Sequence, residues 1–313
     1  MRRPGEDWRI VELAGGALRL GVHRGGPRPT PAEADILLTV DPGAPAPWVA
    51  VSAADLDQRV GELSAAAEAR PIATAVLAQV LRLSLALPFE DALVAESLAY
   101  STLLGGAEFA AWRAATPVRK KSEPQDPAPD APWVRLARGE AGLMVTLARS
   151  NARNAVNARL RDELVEALEF ALIDPEAGPV ILGGEGPAFS AGGDLNEFGQ
   201  AHDLALAHAV RVQQSPARLA RALGARLTAR LHGPCIGAGI EIPAAAARVV
   251  ATPDAWFRLP EVSMGLIPGA GGTASIPRRI GRERTCFMAL SGRAVDAATA
   301  LSWGLVDAVE AAP

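Results

Sequence analysis

The stretch from Leu231 to Gly272, LHGPCIGAGIEIPAAAARVVATPDAWFRLPEVSMGLIPGAGG, limits what this chain can fold into more than any other. It reads as a buried strand, a glycine-rich turn, an alanine-rich helix and a second glycine-rich turn. Glu241 and Glu261 stand in it, both among apolar residues. A carboxylate is rarely set in such company unless it is paired or chemically used. The residues around it keep the same rhythm. A two-strand hairpin in WVRLARGEAGLMVTLARS precedes an amphipathic helix over 157–173, with Leu160, Leu164, Leu168 and Leu172 on one stripe. A buried strand over 179–182, a glycine-rich loop, a helix over about 201–223 and the strand RLTARLHG follow. Alternating strand and helix units with continuous apolar strands predict an α/β fold with parallel pairing.

A boundary precedes this region. PVRKKSEPQDPAPDAP, residues 117–132, combines five prolines with charge and almost no apolar content, which predicts an extended linker. The chain therefore divides into an N-terminal module over 1–115, a linker over 116–132 and a core over 133–313. In the module, WRIVELAGGALRLGV suggests a hairpin and ILLTV (36–40) a short buried strand. Ser52 and Asp55 mark a helix start, Pro71 and Pro88 open two further helices, and Phe109 and Trp112 lie in a fourth. The module is expected to be helical or α+β, and nothing in it signals chemistry.

Composition narrows the function. A net charge of −4 with mixed signs speaks against nucleic acid as a partner. Lys120 and Lys121 are the only lysines, so arginine must supply any phosphate-binding charge. Cys235 and Cys286 form no CxxC pair and suggest a reduced, cytoplasmic setting. MRRPGEDWRI has basic residues with no apolar run behind them, so no signal peptide is expected. The longest apolar tract, 72–87, is broken by Gln79 and Arg82 and is too short to span a membrane. No His/Cys/Asp cluster has metal-ligand spacing, and no phosphate-binding loop is legible.

Three segments could carry chemistry. PAFSAGGDLNEF (187–198) offers backbone N–H groups at a glycine-rich turn, suited to an anion or oxyanion. GPCIGAGIEIP places Glu241 just after Gly237, Ala238 and Gly239, where a plain helix start is the competing reading. In FRLPEVSMGLIPGAGG, apolar neighbours would raise the pKa of Glu261 towards that of a proton donor, unless Arg258, Arg278 or Arg279 pairs with it. His232, between Leu231 and Gly233, reads as a packed strand-end histidine.

In this order and spacing the segments resemble the enoyl-CoA hydratase/isomerase, or crotonase, superfamily over about 133–309. The shared motifs are RSNARNAVN (149–157), AFSAGGDL (188–195), the GxGxE segment at 237–241, PEVSMGLIPGAGGT (260–273) and LSGRAVDAATALSWGLVDAV (290–309). The resemblance implies a spiral of ββα units. It implies that the N–H groups of Gly193 and Ala238 polarise a thioester carbonyl and stabilise its enolate. It implies that Glu261 exchanges a proton at Cα while Glu241 helps activate the water that attacks Cβ. Arg149, Arg153, Ala155 and Ala191 would border the coenzyme A nucleotide. Coenzyme A would enter as part of the substrate, with no separate cofactor, and a homotrimer or hexamer is expected.

With both glutamates present, hydration of a 2,3-unsaturated acyl-CoA is the favoured activity. Double-bond isomerisation, decarboxylation or carbon–carbon cleavage in an acyl-CoA are the alternatives on the same scaffold. A non-catalytic CoA-binding or assembly protein is the alternative of another class. Family members usually continue for further C-terminal helices that cover the site. The N-terminal helices are expected to pack where those would lie.

Overall fold

A computed structural model describes residues 7–29, 34–116 and 131–311. The first six residues and most of the expected linker, 117–130, lie outside the described residues.

The N-terminal module is α+β. Strand β1 (Trp8–Leu13) pairs antiparallel with β2 (Leu18–His23) as the expected hairpin. Strands β3 (Ile36–Thr39) and β4 (Val49–Ala50) extend it in parallel, in the order β1-β2-β3-β4. Every residue of β3 is buried, which explains why ILLT is apolar throughout instead of alternating. Four helices follow: α1 (Leu56–Ala69), α2 (Pro71–Ser84), α3 (Phe89–Leu104) and α4 (Ala107–Ala115). Pro71 separates α1 from α2, because it lacks an N–H and its fixed φ suits a first helical position. Helix α1 starts at Leu56, one turn later than Ser52 suggested. Ser52 Oγ accepts from the N–H of Asp55 (3.1 Å) in a turn outside the helix.

The core opens with the hairpin β5 (Val134–Gly139) and β6 (Gly142–Leu147), then α5 (Ala158–Ile173), whose Asn157 side chain accepts from the N–H of Leu160. Then come β7 (Val180–Gly184), α6 (Leu204–Gln213), α7 (Pro216–Leu223), β8 (Leu227–Leu231) and β9 (Pro234–Ile236). The chain continues through α8 (Ala238–Glu241), β10 (Arg248–Ala251), β11 (Trp256–Arg258), α9 (Gly272–Ser275), α10 (Pro277–Ile280) and α11 (Arg282–Ser291). It closes with β12 (Val295–Asp296), α12 (Ala297–Trp303) and β13 (Ala308–Val309). A six-stranded sheet runs β13-β10-β8-β7-β6-β5, parallel throughout except at the β5–β6 hairpin. A small second sheet, β12-β11-β9, stands beside it. The α/β architecture and parallel pairing agree with the sequence reading.

Two expected helices differ. The helix over about 201–223 is two helices, because Ser215 caps α7 and Pro216 at its start cannot continue the hydrogen bonding of α6. The alanine-rich helix after Gly237 lasts only through Glu241. Pro243 turns it into a 3-10 turn, and the chain then enters β10.

The module is packed onto the core. One continuous apolar cluster includes Leu20, Ile36, Leu77 and Leu93 from the module and Phe257, Ile267, Ile276 and Met288 from the core. Helix α3 lies against α6 and α9, and α2 lies against α11 and α9. Polar stitches cross the same seam. Arg278 Nη2 donates to the carbonyls of Ser84 (3.1 Å) and Leu87 (2.7 Å), and buried Arg284 donates to that of Trp48 (3.1 Å). Buried carbonyls left without such donors would each cost about 1–3 kcal/mol.

Candidate active site

The site begins with the turn after β6. Asn154 is buried in the left-handed region, with φ 53°, and its Nδ2 donates to the carbonyls of Glu185, Ala188 and Phe189. Ser190 Oγ donates to the carbonyl of Asn154 (2.8 Å). These bonds fix the 188–194 loop against Val156, which bridges to Gly193. A second loop, between β9 and α8, comes alongside through a bridge from Ser190 to Cys235. The N–H groups of Gly193 and Ala238 donate to no acceptor among the described residues. Both residues line one cavity of about 470 Å³. Two unspent amides facing one cavity can hold an oxygen that gains negative charge.

Glu241 and Glu261 line the same cavity. Glu241 is held: its Oε2 accepts from the N–H groups of Ala270 (2.7 Å) and Gly272 (3.0 Å). Glu261 is not, and its buried Oε2 has no hydrogen-bond partner. The arginines considered as partners for it are used elsewhere: Arg258 Nε donates to Gly292, Arg278 to the module, and Arg279 pairs with Asp307. Burial pushes the carboxyl of Glu261 up to about 8, helped by the nearby charge of Glu96 and opposed by a backbone hydrogen bond and Arg258. Burial also raises Glu241 well above its ordinary value. The charges of Glu261 and Glu96 add to this, and the two amides oppose it.

Gly237 makes room for this arrangement. At φ 49° and ψ −120°, a Cβ would lie 2.5 Å from Glu261 Oε1. Gly237→Ala is expected to displace the Glu261 carboxyl and cost about 1–3 kcal/mol of stability. Parallel urea denaturation and turnover measurements check this; an unstrained, fully active variant would contradict it.

The N-terminal module supplies the facing wall. Leu93, Glu96, Tyr100 and Leu104 of α3 line the cavity, at helical spacing on one face. Glu96 Oε1 accepts from the N–H of Gly271 (2.7 Å), while Oε2 accepts from the N–H and Oγ1 of Thr273 (both 2.7 Å). Successive amides from 270 to 273 thus alternate between Glu241 and Glu96. Burial moves the Glu96 carboxyl up to about 7 against these three donors and the charge of Arg211. The Tyr100 ring packs directly on the backbone of Gly269, where any Cβ would collide with it. The guanidinium of Arg211, on α6, also lines the cavity and lies over the Tyr100 ring, 4.6 Å from its centre. Three buried carboxyls in one cavity cannot all be ionised, so the group retains protons near neutral pH.

The structure therefore brings Gly193, Ala238, Glu241 and Glu261 together, as expected. It places the four candidate nucleotide-binding residues elsewhere, since none of Arg149, Arg153, Ala155 and Ala191 lines this cavity. Arg149 is buried, pairs with Asp194 (2.9 Å) and lies over the Trp133 ring at 4.5 Å. The carbonyl of Ala155 accepts from Arg149, the Ala191 N–H donates to Arg153 O, and the Arg153 residue is exposed. His232 hydrogen-bonds Gly186 O (2.9 Å) through Nε2, in keeping with a packed strand-end histidine. Glu96, Tyr100 and Arg211 are the residues sequence reasoning missed. The signal was a glutamate three positions after Leu93 and four before Tyr100 on a helix face that is otherwise apolar. Among the described residues, no group of three or more His, Cys, Asp or Glu side chains could hold a metal, and no helix is long and apolar enough to cross a membrane.

Known proteins share this arrangement of the core. The family model described as enoyl-CoA hydratase/isomerase matches residues 138–312. The 2,3-dehydroadipyl-CoA hydratase of Escherichia coli K12 is 38% identical over 174 residues, covering 56% of this chain and 68% of that protein. The mevalonyl-coenzyme A hydratase SIDH of Beauveria bassiana is 33% identical over 173 residues, covering 53% of this chain and 62% of that one. This chain thus spans about two-thirds of the length of such relatives. Among solved structures, an enoyl-CoA hydratase from Thermoplasma volcanium superposes with a TM-score of 0.53 at 29% identity, covering 57% of this chain and 72% of that one. A putative enoyl-CoA hydratase from Thermobifida fusca in complex with CoA gives 0.52 at 27% identity, with the same coverage. All these matches cover little more than half of this chain, and the family model, which supplies residue bounds, falls on the core that carries the two loops and both glutamates. By that core the chain is a member of the enoyl-CoA hydratase/isomerase family.

Proposed function

We propose that this chain adds water across the 2,3 double bond of an acyl-CoA thioester. The observation that carries the reading is the pairing of two unspent amides, at Gly193 and Ala238, with a buried Glu261 carboxyl whose Oε2 has no partner, beside the anchored Glu241. The thioester oxygen would accept from both amides, each able to contribute on the order of 10²–10³ in rate. Water held by Glu241 attacks Cβ, and the electrons of the double bond move onto the thioester as an enolate. Glu261, which keeps its proton near neutral pH, delivers it to Cα. Glu241 takes the proton released by the attacking water, and its transfer to Glu261 after product leaves restores the starting state. The names of the similar hydratases support this choice of substrate class. Rigid anchoring of Glu241, against freedom at Glu261, also fits a single-base shuttle, which would make the enzyme a double-bond isomerase.

The test is a panel of 2-enoyl- and 3-enoyl-CoA thioesters, with product identified by mass. Loss of the enoyl chromophore with a gain of one water is the expected outcome. Interconversion of 3-enoyl and 2-enoyl thioesters without water uptake would replace hydration by isomerisation. CoA binding with no turnover on any thioester would favour the non-catalytic reading.

A further inference from the structure

We propose that Arg211 and Tyr100 form a receptor for a carboxylate at the far end of the acyl group, so that the preferred thioesters derive from dicarboxylic acids. This rests on the acyl-CoA reading above and goes beyond it. Arg211 Nη1 donates to Ser97 Oγ (2.9 Å), Ser101 Oγ (3.1 Å) and the Ser97 carbonyl (3.3 Å). All three acceptors are neutral. Nε and both hydrogens of Nη2 meet no acceptor among the described residues, and no described carboxylate lies within 4.0 Å of the guanidinium. Arg211 nonetheless lines the cavity. A guanidinium taken out of water without an anionic partner is costly, and the cost is recovered when a ligand brings the anion.

Tyr100 points the same way. It lines the cavity, its ring carries the Arg211 guanidinium, and its hydroxyl makes no hydrogen bond among the described residues. A planar cation beside a phenolic donor suits a carboxylate, which accepts from both at once. Burial lowers the pKa of Arg211, consistent with a desolvated cation that still stays charged.

Position separates this anion from the phosphates of coenzyme A. The Tyr100 ring rests on Gly269, next to Ala270, whose N–H holds Glu241. The receptor therefore adjoins the carboxyls at the reacting end of the cavity. The lining there includes Leu93 and Leu206, which suit the methylenes between a thioester and a distal carboxylate. The charge of Glu96 acts on Arg211, and its three hydrogen bonds already commit it to Gly271 and Thr273.

Binding calorimetry tests the proposal without requiring turnover. Saturated acyl-CoA thioesters are compared in pairs of equal length, methyl-terminated against carboxylate-terminated, with free coenzyme A as the control. The wild type is expected to prefer the carboxylate-terminated member by about 10- to 100-fold at the fitting length, as for hydrogen bonds to charged groups. Arg211→Met should abolish the preference while leaving methyl-terminated thioesters and free coenzyme A unchanged. Tyr100→Phe, a milder change, should reduce the preference several-fold and serves if Arg211→Met does not fold. No preference in the wild type overturns the receptor and leaves the acyl-CoA reading standing. Equal weakening of every ligand by Arg211→Met overturns it too, assigning the guanidinium to the coenzyme A phosphates. No binding of any thioester sinks both readings together.

Discussion

Glu261→Gln is expected to lower kcat for enoyl-CoA hydration by about 10²–10⁴-fold with little change in KM, the range typical of a lost general acid or base. The carboxyl is buried, unpartnered through Oε2 and raised to about 8, so at neutral pH it holds a proton that it can give to carbon. The pH profile gives the sign. A donor with a raised pKa acts while protonated, so wild-type kcat should fall as pH rises through about 8. Glutamine cannot donate that proton, and the alkaline limb should disappear from the residual activity. Stability should also fall with rising pH, over a lower window. The folded state keeps a proton that the unfolded chain releases near its ordinary value of 4.5, so this group's contribution declines from about 4.5 to about 8. Glu261→Gln should flatten that decline in urea-denaturation midpoints measured across the window. A variant with wild-type kcat would remove Glu261 from the mechanism.

Glu96→Gln is the second large effect. A carboxylate accepts at both ends, whereas an amide presents N–H donors at one. One of the N–H groups of Gly271 and Thr273 would then face a donor. A buried amide left unsatisfied costs about 1–3 kcal/mol, and the displaced backbone carries the amides of Ala270 and Gly272 that hold Glu241. We expect loss of stability together with a drop in kcat of about 10-fold or more. The distinguishing readout is the pH profile. The charge of Glu96 raises both Glu241 and Glu261, so its removal should shift the alkaline limb to lower pH. If kcat falls but the limb stays where it was, Glu96 is a loop anchor only.

Much of the core was legible because its strands and turns are written locally. The Gly139–Gly142 hairpin, the leucine stripe of α5 and the two glycine-rich loops each follow from spacing over a few residues. The same spacing misled where one residue overrode a run. Pro216 split a helix that composition alone would continue, and Pro243 ended an alanine-rich segment within a turn. Gly193, Ala238, Glu241 and Glu261, which line one cavity, could be singled out because their motifs are contiguous. Glu96 was not, because its meaning depends on Gly271 and Thr273, far along the chain, and no local period reports such a pairing. The setting of Arg149 was hidden for the complementary reason. An arginine in a loop looks available until Asp194 and Trp133 are seen to hold it.

The seat of α3 against α9 changes what counts as the smallest working unit of this protein. The segment that matches the family, residues 138–312, would be cut out as a self-contained catalyst on similarity alone. Cut that way, it would leave four consecutive backbone amides with one carboxyl instead of two, and the cavity without the Tyr100 wall. Leu77 and Leu93, now in the shared core, would go with the discarded piece. Ancestry and activity thus draw different borders on the same chain. A fragment designed by the first border would inherit the motifs and lose part of the cavity wall that faces them.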